Sequence, residues 1–363
     1  MKVLALSSYP VEAAATRFRI GQFIEPLRER GIDVELSSFL DSAQFKALYK
    51  QGGFARKAVG MIAPTLQRIK EAVTAGKYDA VLVQREAMMF GPGIIEWMIA
   101  NLARVPLILD LDDATYIRYV SPTYGRLGSA CKFFGKTDRL IRRASVVVCG
   151  NRFIAEYAES LGAQTVVVPT VVDTDKFKPI EKNNDPPVIG WIGTHSTFPL
   201  LAMTFPALER LAKRHKFVLR LVGSGRGAVA VEGVEIENAE WWLEREITDF
   251  ASLDIGLYPL TETNSANEAW IKAKSGFKAI QYMAVGVPFV MSPVGICAEI
   301  GEPGRTHFDA TTQDDWYNSL DKLLSDGALR TEVGKAGREF ALANFGLGQQ
   351  ADLLAETFGI QCR

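Results

Sequence analysis

Short apolar runs alternate along the chain with longer segments in which apolar residues recur every three or four positions. Runs of this kind, bounded by turn residues, are typical of strands in a parallel sheet that is covered on both faces. The alternation is interrupted once, at the polar, proline-bearing residues 181–187. The pattern therefore predicts an α/β protein with two sheet-containing halves. The predicted strands are residues 2–7, 34–36, 78–83, 105–109, 145–149, 165–169, 188–192, 217–222, 234–237, 254–259 and 288–291.

The stretch from Lys272 to Glu299 carries the clearest local signals. A helix is predicted to begin after Ser275 and Gly276, because apolar residues then fall on one face at helical spacing. Gly286 stands where a helix C-terminus favours a residue that tolerates positive φ, and Pro288 prevents the helix from continuing. The buried strand 288–291 follows.

This stretch has the features of a diphosphate site. Lys274 and Lys278 lie near the amino end of the predicted helix, where the dipole and the free N–H groups favour an anion. Ser292 and Gly295 lie in the loop at the carboxyl end of the next strand, where ligands bind in open α/β sheets. An ordinary helix with two solvated lysines remains the alternative.

Two further loops of small residues follow predicted strands of the second half. Gly193 and Thr194 form a tight turn before a helix, which predicts a second phosphate cradle. Gly223 follows the next strand in a Gly-Ser-Gly turn. In the first half, a loop of mostly small residues (8–16) occupies the place where dinucleotide-binding folds have glycines, but the G-x-G-x-x-G pattern is absent, which disfavours a dehydrogenase.

Charged residues follow the strands of the first half. Arg17 and Arg19 begin the first helix and are candidate ligands, although both could equally be surface residues. Arg85 follows one strand, and Asp110, Asp112 and Asp113 follow the next. Because close carboxylates raise one another's pKa unless a cation is near, Arg85 is a candidate neighbour of these aspartates. The Asp110-Leu111-Asp112 triplet also fits a divalent-metal chelate, but a metal-independent site is favoured because a second Rossmann-like half follows.

Composition narrows the class of protein. The 363 residues are 48% hydrophobic and 23% charged, with no apolar run long enough to cross a membrane. Four cysteines lie far apart, and only three histidines are present, so neither a disulfide framework nor a histidine-rich metal site is expected. The N-terminal apolar run is interrupted too early for a signal peptide, and a cytoplasmic location is expected.

The first half is basic. Residues 1–180 contain 24 Lys and Arg against 18 Asp and Glu, and the remainder contains 17 against 24. This asymmetry favours an acidic partner such as a phosphorylated acceptor or an anionic lipid surface. Residues 45–76 form a basic amphipathic segment that can lie on a membrane, although a solvated face covering the sheet is the commoner explanation. Its cations are Lys46, Lys50, Arg56, Lys57, Arg68 and Lys70.

Residues 116–143 interleave aromatic and basic side chains, among them Tyr119, Tyr124 and Lys136. Such interleaving also occurs in nucleic-acid binders. No compact basic module or known nucleic-acid motif accompanies it, so no nucleic-acid partner is expected.

Several motifs together resemble a known family. In order and spacing the chain is similar to GT-B glycosyltransferases, and most similar to glycosyltransferase family 4, the glycosyl transferases group 1. The resemblance covers nearly the whole length. The motifs that carry it are Val168-Pro169, residues 172–179, residues 189–193, Asp254-Ile255-Gly256 and residues 278–288.

The resemblance implies two Rossmann-like domains facing across a cleft. Residues 1–178 would bind the acceptor and residues 179–345 the nucleotide-sugar donor, and residues 346–363 would form a helix that crosses back to the first domain. The implied activity is transfer of a sugar from a UDP-, GDP- or similar donor to a hydroxyl of a glycan or lipid-linked acceptor, with retention of configuration. It implies a hexosyltransferase-type enzyme of polysaccharide biosynthesis that needs no metal or other cofactor and is cytoplasmic or peripheral on the inner face of the membrane.

The residue roles expected from this resemblance divide between the two halves. Lys274 and Lys278 would neutralise the donor diphosphate, and Asp112 or Asp113 would orient the acceptor hydroxyl or the sugar. The donor would also contact Gly193, Thr194, Gly223, Ser275, Gly276, Ser292, Gly295 and Glu299, and the acceptor would contact Arg17, Arg19 and Arg85.

The sequence departs from the family pattern at three places. Many members carry two glutamates where this chain has Ala273 and Gln281, and a Lys/Arg pair that often follows the first strand of the second domain is missing. Asp112 stands beside Asp113 where many members have a histidine. Two alternatives therefore remain: a sugar-nucleotide epimerase of the same fold, and a non-catalytic nucleotide-sugar-binding subunit.

Overall fold

The protein is described by a computed structural model that covers residues 1–48, 52–118, 125–261 and 265–361. Lys50, Tyr119 and Tyr124, named above, and Cys362, one of the four cysteines, lie outside the described residues. Contacts divide the chain into two compact units. The first unit contains Met1–Thr170 and Ala273–Ser275 together with residues 348–361 of the last helix, and the second contains Val171–Lys272 and Gly276–Leu347.

The first unit is built on a six-stranded parallel sheet of order β2-β1-β3-β4-β5-β6. Its central strands are buried along their whole length, as expected for parallel strands covered by helices on both faces. The strands are β1 (Lys2–Ser7), β2 (Asp33–Ser38), β3 (Ala80–Gln84), β4 (Leu107–Leu111), β5 (Val146–Cys149) and β6 (Thr165–Val167).

Short helices connect these strands. They are α1 (Ala14–Arg19), α2 (Ile24–Glu29), α3 (Ser42–Leu48), α4 (Phe54–Gly60), α5 (Ile62–Val73), α6 (Ile94–Met98), α7 (Gly125–Lys132), α8 (Lys136–Arg143) and α9 (Arg152–Ser160).

The second unit repeats the plan with the parallel order β12-β11-β10-β7-β8-β9. Its core packs Trp191 and Trp316, both almost fully buried, among the aliphatic residues of the central strands and covering helices. The strands are β7 (Val188–Ile192), β8 (Val218–Val222), β9 (Glu235–Ala239), β10 (Ile255–Tyr258), β11 (Phe289–Met291) and β12 (Phe308–Asp309).

The later helices cover this sheet and end the chain. They are α10 (Phe198–Leu201), α11 (Phe205–Ala212), α12 (Glu246–Ala251), α13 (Ser265–Lys272), α14 (Phe277–Ala284), α15 (Gln313–Ser325), α16 (Gly327–Asn344) and α17 (Leu347–Gln361). No helix among the described residues is long and apolar enough to span a bilayer.

One local prediction needs correction. Asp110 was expected in the loop after its strand, but β4 continues through Leu111 and Asp110 is buried within it. The predicted helix end at Gly286 is confirmed, since α14 ends at Ala284, Val285 is its C-cap and Gly286 follows with φ +65°.

Candidate functional site

The strand orders locate the crevice of each sheet. In the first sheet β1 lies between β2 and β3, and in the second β7 lies between β10 and β8. The chain therefore leaves these central strands toward both edges, which creates a switch point where the following loops diverge. Ligands of open α/β sheets bind beyond the carboxyl ends of the strands at such points. The candidate site of each unit is thus the loop cluster at this edge of its own sheet.

In the first unit the predicted pairing of Arg85 with the aspartates is confirmed. The Arg85 guanidinium donates from Nε to Asp112 Oδ1 at 2.5 Å and from a terminal nitrogen to Oδ2 at 2.7 Å, and Asp113 lies 3.9 Å away. Burial raises the pKa of Asp112, but the charge and hydrogen bonds of Arg85 lower it by more than burial raises it. The pKa of Asp112 is therefore below its usual range. Asp112 is therefore held as a carboxylate in one fixed orientation.

The backbone around this pair is also unusual. Arg85 adopts φ +61°, a left-handed conformation that a residue with a side chain rarely adopts. Gly150, at the end of β5, lies so close to Asp112 that a Cβ there would be 3.0 Å from the Asp112 Cα. Neighbouring backbone and an arginine together fix the position of Asp112.

Arg19 occupies a different environment from the surface position expected for an acceptor ligand. Its side chain is buried, with Nε 3.1 Å from both carboxylate oxygens of Asp110 and a terminal nitrogen donating to the Val168 carbonyl at 2.6 Å. Burial lowers the pKa of Arg19, but attraction to Asp110 raises it more, so the guanidinium stays charged. Arg19, at the end of α1, and Asp110, in β4, thus form a buried ion pair.

Arg17 remains half-buried at the same edge. It donates to the carbonyls of Val11 and Glu12 and so shapes the loop that follows β1. Ser8 in that loop donates to the carbonyl of Glu86 at 2.9 Å, which joins the loops after β1 and β3.

Two buried cations at this edge were not recognised from the sequence as structural residues. Arg68, expected on a basic helix face, is 1% exposed and donates to the carbonyls of Ser7, Ser37 and Ala87. Lys136, expected in a basic aromatic segment, is 2% exposed and contacts Glu86 and the Met88 carbonyl, each at 2.8 Å. Both cations pair with oxygen atoms at or near the ends of strands. Part of the excess positive charge of the first half is therefore buried and does not reach the surface.

In the second unit glycines bring two loops together beyond β7 and β8. A Cβ on Gly193 would lie 2.1 Å from the Trp191 ring, and one on Gly223 would lie 2.4 Å from the Gly193 carbonyl oxygen. Gly223 and Gly225 both have positive φ, and a Cβ on Gly225 would be 2.7 Å from the His195 Cβ. Only glycine allows this close approach, which leaves a backbone-lined surface of the kind that cradles phosphates.

The loop after β7 is also rich in hydroxyl groups. Thr194 is exposed, and its hydroxyl lies 2.8 Å from that of Ser196. The Thr197 hydroxyl accepts from the Thr194 N–H at 3.1 Å, which closes the turn before α10. Arg226, which sequence reasoning did not single out, lies beyond Gly225 with its guanidinium 5.4 Å from the Phe198 ring centroid. It supplies a cation near a loop that lacks the family's Lys/Arg pair.

Helix α14 begins after Gly276, as predicted. Gly276 has φ +63°, and a Cβ there would be 2.2 Å from Ile300 Cδ1, so this position requires glycine. Lys278 lies in the first turn and is half-buried. Ala273 and Gln281, where many family members carry glutamates, are both buried.

The loops after β10 and β11 are joined by a serine. The Ser292 hydroxyl accepts from the Leu260 N–H at 3.0 Å. Gly295 has φ +57°, and a Cβ there would be 2.3 Å from the Lys272 carbonyl oxygen. Glu299 is exposed at the end of the 3-10 turn Gly295–Glu299.

Lys274 and Ser275 lie in the short segment Ala273–Ser275, which belongs to the first unit. Asn151, 1% exposed at the end of β5, donates from its amide to the carbonyls of Ala273 at 2.9 Å and Lys274 at 3.3 Å. Its Oδ1 also accepts from the Ile154 N–H and caps α9. Asn151 thereby fixes the backbone that carries Lys274, a role not predicted from the sequence.

The aspartate triplet does not gather as a chelate in this structure. Asp110 and Asp112 are each paired with their own arginine. Within the described parts of the chain no group of three or more His, Cys, Asp or Glu side chains is arranged to hold a metal ion.

Comparison with known proteins follows this geometry. Residues 186–326 match the family model described as glycosyl transferases group 1. Comparison with curated protein sequences gives no match. Among solved structures, sucrose-phosphate synthase from Thermosynechococcus elongatus is 14% identical with a TM-score of 0.67, and the alignment covers 99% of each chain.

Two other solved structures are similar over their whole length. HepE from Anabaena in complex with UDP-glucose is 17% identical, with a TM-score of 0.67 over 99% of this chain and 100% of that one. A glycosyltransferase from Rickettsia africae is 13% identical, with a TM-score of 0.71 over 100% of this chain and 98% of that one. At these identities the likeness establishes the fold.

These findings confirm the expected resemblance. The chain has the GT-B fold, and its residues 186–326 carry the sequence pattern of group 1 glycosyltransferases. The family match supports sugar transfer as the activity.

Proposed function

We propose that the protein is a glycosyltransferase that moves a sugar from a nucleoside diphosphate donor to an acceptor hydroxyl. One observation carries the proposal: the loops built by Gly193, Gly223 and Gly276 lie within the segment that matches group 1 glycosyltransferases. No side chain covers the backbone at these glycines, so an anionic ligand can approach it closely at the ligand-binding edge of the sheet.

The donor is proposed to bind the second unit through its diphosphate. Lys278 at the amino end of α14 neutralises the phosphates, assisted by Lys274. Because negative charge grows on the diphosphate as the sugar–oxygen bond breaks, these cations stabilise the transition state more than the bound donor. The surrounding polar contacts come from Gly193, Thr194, Gly223, Ser275, Gly276, Ser292 and Gly295, with Glu299 orienting sugar or ribose hydroxyls.

The nucleotide is proposed to be a uridine diphosphate in the first instance. HepE, which shares the fold, is solved in complex with UDP-glucose. A hexose is the corresponding sugar, with retention of configuration and without a bound metal as the resemblance implies. Fold similarity alone motivates this choice of donor, so other bases belong in the test.

The acceptor is proposed to bind the first unit beside the Asp112 loop. Asp112 and Asp113 carry negative charge beside Arg85 and can accept a hydrogen bond from an acceptor hydroxyl or the sugar. Arg17 and Arg85 retain partly exposed guanidinium groups, whereas Arg19 is buried and supports the loop through Asp110. A glycan or lipid-linked acceptor fits the basic character of this half, and cytoplasmic or peripheral-membrane localisation fits such an acceptor.

A thermal-shift screen tests donor binding first. Purified protein is heated with UDP, GDP, ADP and their sugar derivatives, with and without EDTA, because a ligand of the folded state raises the melting temperature. A rise with one nucleotide that EDTA does not remove supports the proposal. A rise that requires a divalent metal contradicts metal independence, and no rise with any nucleotide contradicts the donor site.

Lys278→Ala tests the catalytic role of the cation. We expect turnover to fall by about a hundredfold or more, since loss of one preorganised charge costs a large share of transition-state stabilisation, while the fold is retained. Lys213→Ala, which changes an exposed lysine of the same unit, is the matched control. Near-normal turnover in Lys278→Ala would remove this residue from the mechanism.

The same assay separates the two alternatives. Interconversion of the donor sugar without an acceptor would identify an epimerase. Tight donor binding with no turnover for any acceptor would identify a binding subunit, for which the missing glutamates at Ala273 and Gln281 are the motivation.

A further inference from the structure

Helix α5 exposes an apolar stripe that the packing of the first unit does not cover. Ile62, Leu66, Ile69 and Val73 are between 39% and 67% exposed. At 3.6 residues per turn these positions fall within an arc of about 60° along about 17 Å of helix. The stripe extends into α4, where Val59 is 67% exposed.

The stripe lies away from the face that α5 packs on the domain. The buried residues of this helix are Arg68, Glu71 and Ala72, which lie on the other side of the helix. Isolated exposed apolar residues are normal on a protein surface, but an aligned row of four is not. Contiguous exposed apolar residues mark interaction sites, and helices that lie on a membrane surface carry such a stripe.

The charge around the stripe is almost entirely positive. Residues 42–78 contain seven Lys and Arg and a single acidic residue, Glu71. Glu71 is itself buried and ion-paired with Arg68 at 2.6 Å, so it does not offset the exposed cations. Arg56, Lys70 and Lys77 are exposed. The surface therefore combines aliphatic side chains with a positive rim.

We propose that the α4–α5 surface docks the first unit on an anionic lipid bilayer. Aliphatic side chains enter the boundary between headgroups and acyl chains, while the cations contact lipid phosphates. A symmetric contact with a second copy is disfavoured, because it would place two positive rims against each other. The α6 helix, which packs against α5, exposes Ile94 and Trp97, and tryptophan is favoured at bilayer interfaces.

Vesicle co-sedimentation of the full chain tests this proposal without any donor, so its outcome is independent of sugar transfer. We expect sedimentation with phosphatidylcholine vesicles that contain phosphatidylglycerol, weaker binding at high salt, and little binding to phosphatidylcholine alone. Leu66→Ser combined with Ile69→Ser should lower partitioning about tenfold or more. Lys70→Gln should lower it about fivefold.

The control is Leu342→Ser, which removes an exposed leucine from α16 in the second unit. It should sediment like the wild type, and circular dichroism should show every variant folded. The proposal is overturned if the wild type binds no vesicle, or if the Leu66/Ile69 variant binds as well as the wild type. It is also overturned if that variant instead abolishes a dimer seen by analytical ultracentrifugation, since the stripe would then join two copies.

Discussion

A single arginine decides the state of the Asp112 carboxylate. Arg85 contacts both of its oxygens, and the left-handed backbone at Arg85 places the guanidinium at the end of β3. Strain of this kind persists only where the surrounding structure enforces it, and it concentrates at functional sites. The pair is therefore a candidate for both a structural and a chemical role.

Asp112→Asn should change how stability depends on pH. The folded-state pKa of Asp112 is lowered, so the carboxylate stabilises the fold above its unfolded pKa near 4 and loses this contribution as the pH falls. The gap in unfolding free energy between wild type and variant should therefore be larger at about pH 6 than at about pH 3. Urea unfolding at both values measures it, and a gap independent of pH would show that Asp112 is not held ionised by Arg85.

Asn151→Asp tests the clamp on the segment that carries Lys274. The change preserves the side-chain size and the cap on α9. It replaces the amide NH2, which donates to the carbonyls of Ala273 and Lys274, with an oxygen that cannot donate. We expect a loss of about 1–3 kcal/mol of unfolding free energy, because the carbonyls are left unsatisfied in a buried place, and turnover should fall with it.

Asn101→Asp is the matched control. Asn101 also donates from its side chain to a carbonyl, that of Trp97, but at an exposed position where water can replace the lost bond. It should change the unfolding free energy by less than about 0.5 kcal/mol. Equal effects of the two substitutions would show that the Asn151 contacts do not stabilise this segment.

At the scale of elements, the paired loops after β7 and β8 depend on glycine. Gly223→Ala should cost about 2–4 kcal/mol, since the new Cβ would meet the Gly193 carbonyl and φ is positive. Gly227→Ala, four residues later, meets no atom within 4 Å and should be neutral or slightly stabilising. Urea unfolding compares the two, and a well-folded Gly223→Ala with unchanged stability would contradict the close approach.

At the scale of the molecule, the last helix completes the first unit rather than the second. Residues 348–361 of α17 cluster with strands near the start of the chain, and Arg30 contacts Asp352 at 2.7 Å. The family resemblance implied a return of this helix to the first domain. Residues 171–178, expected in the first domain, belong to the second unit. Arg338 of that unit donates to the carbonyls of Thr174 and Phe177.

Phe358→Ala should destabilise the first unit selectively. Phe358 is 1% exposed, so its truncation should cost about 3–5 kcal/mol, whereas Ile360→Ala at a 61% exposed position should cost less than about 0.5 kcal/mol. Hydrogen exchange followed by mass spectrometry resolves the units. Protection should fall in β1–β6 and persist in β7–β12, and equal loss in both sheets would contradict the assignment of α17 to the first unit.

Local signals predicted the elements well where their causes are local. The buried strands were found within a few residues, because a parallel strand covered on both faces must be apolar throughout. Gly286 was placed at a helix end because positive φ there favours glycine.

The α/β class, the two halves, the GT-B resemblance and the residue types at the strand ends can all be read from the amino-acid sequence. The burial of individual charges cannot, because it follows from three-dimensional packing. Arg19 and its partner Asp110 are 91 positions apart in the sequence, and Arg68 and Ser7 are 61 apart. The spacing of apolar residues along the chain does not predict contacts between such distant positions. The sequence around a helical lysine or arginine does not show whether its side chain contacts water or a buried carbonyl. Burial and pairing depend on packing between distant segments, so they are properties of the fold alone.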